Sequence, residues 1–419
     1  MKFLYTNEKN IAESNNAAML IFAINNNRLE AQKKISGLHI AIMAITAGVC
    51  VANIYYNQPI LKDIARSFNI NETKAGLIPV LTQAGYGLGL FFITPLGDKI
   101  PRKKLIFMLQ LLLIAVLLCI TFTTTIYGLY ITSFLLGMVS VSAQVLLPMA
   151  AALDKENRGK NVSIVFTGVL IGILAARVVS GYIAHWLGWR YVYGISAGLV
   201  LTVALLTWFV LPTIAVEFKG NYGQLLRSTF LQVKRFPLLR RTALIGAFIF
   251  GAFCSFWTTL TFFLSGNPFY YHADTIGLFG ILAIGGALLA PVFGKLADKG
   301  HTTRSQVITI SLMIAGVFLM QVFPYNIIAL IMVVLLLDVG VQATQITNIA
   351  IIYTLDETAH SRINTVYMTT YFLGGALGTY AGVKSWHIGG WQMVGWQLLV
   401  WSLIALVFTF KKEKVLSTQ

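Results

Sequence analysis

Residues 153–172 read LDKENRGKNVSIVFTGVLIG, and residues 355–374 read LDETAHSRINTVYMTTYFLG. The two segments align without a gap, 202 residues apart (355 minus 153), and each runs from a charged turn into a long apolar stretch. Two further pairs keep the same order. GLIPVLTQAGYGLGLFFITPLGDK (76–99) matches GLFGILAIGGALLAPVFGKLADK (277–299) with one gap, and GWR (188–190) matches GWQ (390–392) at the same spacing. Three ordered matches indicate a duplication, so the second half of the chain builds again what the first half builds.

Composition says what that is. The chain is 57% hydrophobic and only 11% charged, with a mean hydropathy of +0.75, whereas a soluble protein carries about 25% charged residues. Apolar runs of about 20 residues cross a bilayer as helices, because only a helix satisfies its own backbone there. Twelve are expected, near 36–58, 75–96, 104–122, 127–150, 161–185, 191–211, 242–264, 275–294, 305–322, 327–350, 363–383 and 392–410. The expected fold class is an all-α membrane protein with twelve transmembrane helices in two six-helix pseudo-symmetric bundles. Its expected parts are a tail over 1–35, a bundle over 36–212, a basic connector over 213–241, a second bundle over 242–410 and a tail over 411–419. The first tail is polar and Asn-rich, and its apolar patch (17–24) is too short for a signal-peptide core with a cleavage site. A flexible tail is expected there, with Met19 an alternative start.

A formal charge of +16 raises the question of nucleic acid, and its placement answers it. On the twelve-span topology, 25 Lys and Arg residues fall on the side of the two tails. Five fall on the other side, at Lys62, Arg66, Lys74, Arg190 and Lys384. This is the bias that orients membrane proteins. It places both termini in the cytoplasm, in a multi-pass protein of a bacterial plasma (inner) membrane, with the lipid bilayer as partner and no nucleic acid. Cys50, Cys119 and Cys254 fall inside spans as apolar fillers, not as a metal site or a disulfide framework. No catalytic His/Ser/Asp set, paired carboxylates or phosphate loop stands out, so the chain does not read as an enzyme. In the connector, Leu225, Leu226, Phe230 and Val233 share one helical face while Arg227, Lys234 and Arg235 lie elsewhere. That pattern predicts an amphipathic helix on the membrane surface, with a flexible basic linker as the alternative.

Between the second and third spans comes PLGDKIPRKK (95–104), where Asp98 and Arg102 are spaced for an ion pair. GKLADKGHTTR (294–304) repeats the pattern with Gly294, Asp298 and Lys299. Twelve spans in two repeats, with this loop, resemble the major facilitator superfamily. Its signature runs Gly-x-Leu-(small)-Asp-(Arg/Lys)-x-Gly-Arg-(Arg/Lys). Leu96, Gly97, Asp98, Lys99, Arg102 and Lys103 fit it, and Thr94 and Pro101 replace the two outer glycines. The resemblance implies a cytoplasmic latch between halves, carried by Asp98, Lys99, Arg102 and Lys103. Otherwise these charges only fix topology.

Span five offers GVLIGILAA (168–176). Drug–proton antiporters of that superfamily have Gly-x-x-x-Gly-Pro-x-x-Gly-Gly here. Gly168 and Gly172 match, Ala175 and Ala176 stand in for the last pair, and Ile173 replaces the proline. Small residues at this spacing also serve ordinary helix packing. The arginine that the family carries in span four is replaced by Ser133.

Two strong charges remain at mid-membrane. Arg177 stands roughly 25 Å from Lys160 and roughly 20 Å from Arg190 along a helix. Asp338, in LLLDVGVQATQITN (335–348), lies at similar depth in the other half. Ionisable groups at such depth are candidate functional residues. Asp338 is expected to be the protonatable group and Arg177 its partner, so that proton uptake follows conformation; the alternative is a static salt bridge. Gln342 and Gln345 share the Asp338 face of span ten. With Gln144, Asn53, Tyr56, Asn57, Trp257, Thr258 and Thr261 they are expected to line a cavity, since spans one, four, seven and ten line it in the family. His185 and His387 are expected in aromatic belts beside Trp186, Trp189, Trp386 and Trp391. The resemblance implies a monomeric, proton-coupled exporter of a small molecule, driven by a proton gradient without a cofactor. Uptake by a symporter or facilitator is the alternative.

Overall fold

The computed structural model describes residues 37–153, 156–213, 220–283, 301–356 and 359–411. The expected first tail with Met19, and the second loop copy with Gly294, Asp298 and Lys299, lie outside the described residues. Among the described residues the chain is helical, with no strand. The first six spans are Gly37–Ser67, Glu72–Asp98, Arg102–Phe122, Ile126–Leu153, Arg158–Leu187 and Trp189–Val210. A connector helix, Tyr222–Arg235, leads to span seven, Pro237–Ser265. Span eight is described over Ala273–Ala283, span nine is Thr302–Val322 and span ten is Ile327–Tyr353. One helical stretch, His360–Phe410, holds spans eleven and twelve, divided where Gly389 and Gly390 leave helical geometry. Gly390 turns the chain at φ 60°, a conformation that glycine adopts without steric cost. The protein is a twelve-span, two-bundle membrane protein. We call the side where span one begins and span twelve ends the tail face, and the other the far face.

In the first bundle, span one packs on span five, span two on span four, and span three on span six. The seam between one and five is made of backbone. A Cβ at Gly168 would overlap Ala44, and one at Gly172 would overlap Gly48. Span eleven does the same to span seven, with Gly374 against Ala247 and Gly378 against Gly251. Gly168 and Gly374, each set against an alanine (Ala44 and Ala247), are 206 residues apart, one helical turn beyond the sequence offset of 202. The second bundle adds a polar ladder between spans nine and ten. Ser305 meets Thr347 at 2.8 Å, Thr309 meets Thr344 at 2.8 Å, and Gln306 donates to Asn348 at 2.7 Å.

Two helices that face the centre are broken. Span one unwinds over Asn53–Tyr56. Pro59 lacks an N–H and its ring crowds the carbonyl four residues back, at Tyr55. Span four unwinds at Ser140–Val141, where Ser140 Oγ donates back to the Leu136 carbonyl at 2.6 Å. Spans seven and ten run unbroken.

The bundles meet across the far face. Thr261 donates to the Gln58 carbonyl at 2.9 Å, Lys62 donates to the Ser265 carbonyl, and Trp386 donates to Glu72 at 2.5 Å. Gly181 in span five lets Ala273, at the start of span eight, approach closely. On the tail face the connector helix is closed by a capping box of Asn221 and Gln224. It bonds both bundles: Tyr222 donates to the Phe92 carbonyl, and Arg235 pairs with Asp356 at 2.6 Å. Its buried face is Leu225, Thr229 and Gln232, whereas Phe230 and Leu231 are exposed. The helix thus turns a partly polar side to the protein and leaves Phe230, of the expected apolar face, uncovered by it.

Candidate substrate site and two buried charges

A cavity lies between the bundles near mid-depth, and the helix breaks decide what faces it. In span one the unwound turn carries Tyr55 to the wall, and in span four Gln144 follows the break. Span two adds Tyr86, and Gln144 donates to its hydroxyl at 3.4 Å. Span five adds Arg177, and span seven adds Phe250 and Phe253. Span ten brings Asp338, Gln342 and Gln345, and span eleven brings Met368, Tyr371 and Phe372. Phe250 stacks on Tyr371 with centroids 4.0 Å apart, and Tyr86 meets Phe372 across the divide at 4.4 Å. The site is an aromatic box holding three amides and two opposite charges.

Arg177 is 2% exposed. Its Nε donates to Gln58 Oε1 at 2.8 Å, and its guanidinium carbon lies 4.0 Å from the centroid of the Trp257 ring. The Tyr55 ring is 5.4 Å away on the same scale. Span eight presses on it from behind, since a Cβ at Gly280 would come within 2.9 Å of the Arg177 Cβ. The charge is thus seated by groups from both bundles, while its Nη2 has no hydrogen-bond partner. Asp338 is also 2% exposed, and its Oδ2 has no partner. The two groups feel each other electrostatically. Yet the salt bridges among the described residues are Asp98–Arg102, His185–Asp274 and Arg235–Asp356. The expected pair faces one cavity without closing into a static salt bridge.

Of the residues expected on the wall, Gln144, Gln342, Gln345, Arg177 and Asp338 reach it. Asn53, Tyr56 and Asn57 do not, and this is a correction. Asn53 donates to the Val49 carbonyl and accepts from Ser196 at 2.8 Å, while Asn57 reaches Ile54 and Thr82. Tyr56 faces a groove between spans one and five on the outside of the bundle. Their common face assumed an intact helix, and the break removes it. Trp257 and Thr258 are also corrected. Trp257 lies against Arg177 without lining the cavity, and Thr258 is buried with its hydroxyl unpartnered. Gln58, Tyr55 and Tyr86 were missed; Pro59 was the available signal for the first two.

In the loop between spans two and three, Asp98 meets Arg102 at 3.2 Å and Arg102 donates to the Pro148 carbonyl at 2.9 Å. Gly97 is buried beside Val145, Lys99 is exposed, and Lys103 lies 5.6 Å from the Trp208 ring centroid. These contacts stay within the first bundle. Gly168 and Gly172 sit on the span-one seam. His185 is less purely interfacial than expected: it lies 4.0 Å from Asp274, and its ring is 5.3 Å from that of His272.

Comparison with known proteins agrees with this architecture. The chain is 38% identical over 352 residues to the uncharacterized transporter YgaY of Escherichia coli O157:H7, covering 84% of this chain and 89% of that protein. It superposes on a crystal structure of the nucleoside transporter NupG with a TM-score of 0.72 at 16% identity, covering 89% of this chain and 99% of that one. A bacterial homologue of the human lysosomal transporter Spinster, solved inward-facing and unoccupied, gives 0.71 at 14% identity, over 90% and 97% of the two chains. A family model described as Major Facilitator Superfamily matches residues 43–379, and the chain is a transporter belonging to that superfamily.

Proposed function

We propose that the chain exports a small solute across a bacterial inner membrane by alternating access, as a monomer, with protons moving inward in exchange. The observation that carries this reading is the pair of unclosed charges, Arg177 and Asp338, facing one cavity from different bundles. A carboxylate at that depth is expensive to leave charged and unmatched, and a proton removes the cost. Asp338 then takes a proton where the cavity opens outside and gives it up inside, so that its state follows the tilt of the bundles. Gln144, Gln342 and Gln345 offer amides to the solute.

The charge bias of the loops supports a cytoplasmic tail face. On that reading, Gln58–Thr261, Lys62–Ser265 and Glu72–Trp386 form the closed outer gate. Gly97, Asp98, Lys99, Arg102 and Lys103, with Gly294, Asp298 and Lys299 in the second copy, form the inner latch. The glycine pattern of span five supports the export direction and a kinship with drug and sugar efflux proteins. The test is flux in proteoliposomes under an imposed pH gradient, screened over cationic drugs, sugars and amino acids. Net solute accumulation only when protons run the opposite way is the expected result; accumulation with the proton flow establishes a symporter instead.

A further inference from the structure

Arg177 and Asp338 together define a chemical complement. A guanidinium offers five N–H donors and does not lose its charge in a protein. Among the described residues, only Nε of Arg177 has an acceptor, Gln58 Oε1 at 2.8 Å. Trp257 and Tyr55 present ring faces to it, not acceptors in the guanidinium plane. On the other bundle Asp338 leaves Oδ2 free. Among the described residues, the remaining titratable groups near the pair are Tyr55, Tyr86, Tyr371 and Cys254, all neutral in their ordinary forms. The site therefore holds one unspent cation and one unspent anion, facing one cavity and walled by aromatic rings.

A solute with a single charge settles half of this. An anion on Arg177 leaves Asp338 unmatched, and a cation on Asp338 leaves Arg177 unmatched. We propose that the solute is a small zwitterion with an apolar or aromatic body, its carboxylate on Arg177, its ammonium on Asp338 and its body among Tyr55, Phe253 and Tyr371. A carboxylate can accept two parallel N–H bonds from the guanidinium fork, which fixes orientation as well as charge. The proposal deepens the exporter reading and rests on it for its coupling. Ammonium and proton compete for one carboxylate. When solute enters from the cytoplasm, the Asp338 O–H bond breaks, the proton leaves to cytoplasmic water, and the carboxylate pairs with the ammonium. On the outside a proton returns to the carboxylate and the solute leaves.

The test is equilibrium binding to the purified full chain in detergent at neutral pH, with no gradient, by calorimetry. Two matched triads serve as probes: L-phenylalanine with hydrocinnamate and phenethylamine, and L-leucine with isocaproate and isoamylamine. Each triad keeps the body and deletes one charge. In at least one triad the amino acid is expected to bind at least about tenfold tighter than either analogue, the loss typical of one charge-assisted partner. Asp338→Asn should erase the advantage over the acid analogue. Arg177→Gln should erase the advantage over the amine, and if that variant does not fold, the Asp338→Asn result decides. A single-charge analogue binding tightest in both triads, or no binding by any member, overturns the proposal. Zwitterion preference without gradient-driven flux in liposomes keeps this site and removes the exporter reading. Gradient-driven export of a solute lacking either charge does the reverse.

Discussion

The two walls of the cavity are built differently. The first-bundle wall sets two broken helices, spans one and four, beside the unbroken span five, and the charge on span five is clamped: Arg177 is bonded by Gln58, covered by Trp257 and wedged by Gly280. The second-bundle wall is made of unbroken helices, spans seven and ten, and its charge is loose: Asp338 has an oxygen with no partner. A guanidinium keeps its charge in every conformation. A loose carboxylate can exchange a proton, a solute or the arginine itself. On the proposed exchange mechanism, this difference gives the fixed post to one bundle and the changing group to the other.

That contrast can be broken experimentally, starting where the effect is largest. Asp338→Asn should reduce gradient-driven transport in proteoliposomes to the level of empty liposomes without a steep fall in melting temperature, since Asp338 closes no salt bridge among the described residues. A melting temperature that falls steeply would show that Asp338 is structural. Arg177→Lys should do the opposite. It keeps the charge but loses the planar donor to Gln58, and should lower stability by about 1.5–3 kcal/mol, read from denaturation in detergent. Trp257→Leu should cost roughly 0.5–2 kcal/mol from the lost cation–π contact, besides its packing. A stability equal to wild type would mean that Arg177 is not held from the second bundle. Thr261→Val removes one bond between bundles, to the Gln58 carbonyl, worth about 0.5–1.5 kcal/mol. Cysteine-labelling rates at the far face should rise accordingly, and unchanged rates would take Thr261 out of the gate.

The fold was legible because bilayers ask for long apolar runs and the duplication printed them twice. The two central charges were legible for the same reason, since any charge in such a run stands out. The wall of the cavity was read less well. Asn53, Tyr56 and Asn57 share a face only on an intact helix, and Pro59 breaks span one just before it, turning Tyr55 inward. Tyr86 and Phe372 come from spans two and eleven, and their meeting depends on how the bundles dock, which no local spacing records. Gln58 follows Asn57 in sequence, and its partnership with Arg177 spans 119 residues. The glycines of span five spell a family pattern in sequence, while in space they press on Ala44 and Gly48, a relation that span eleven repeats with span seven.

Those two glycine seams have a mechanical meaning. Where backbones touch with no side chain between them, neither helix can slide or roll against the other without collision. Span one is thereby riveted to span five, and span seven to span eleven. Arg177, on span five, must travel with the unwound turn of span one, so the guanidinium and Tyr55 keep one mutual geometry throughout a stroke. On the alternating-access reading, the gaps that change are those to the second bundle, to Asp338 and to Trp257, and the protein behaves as a caliper whose two jaws are each rigid.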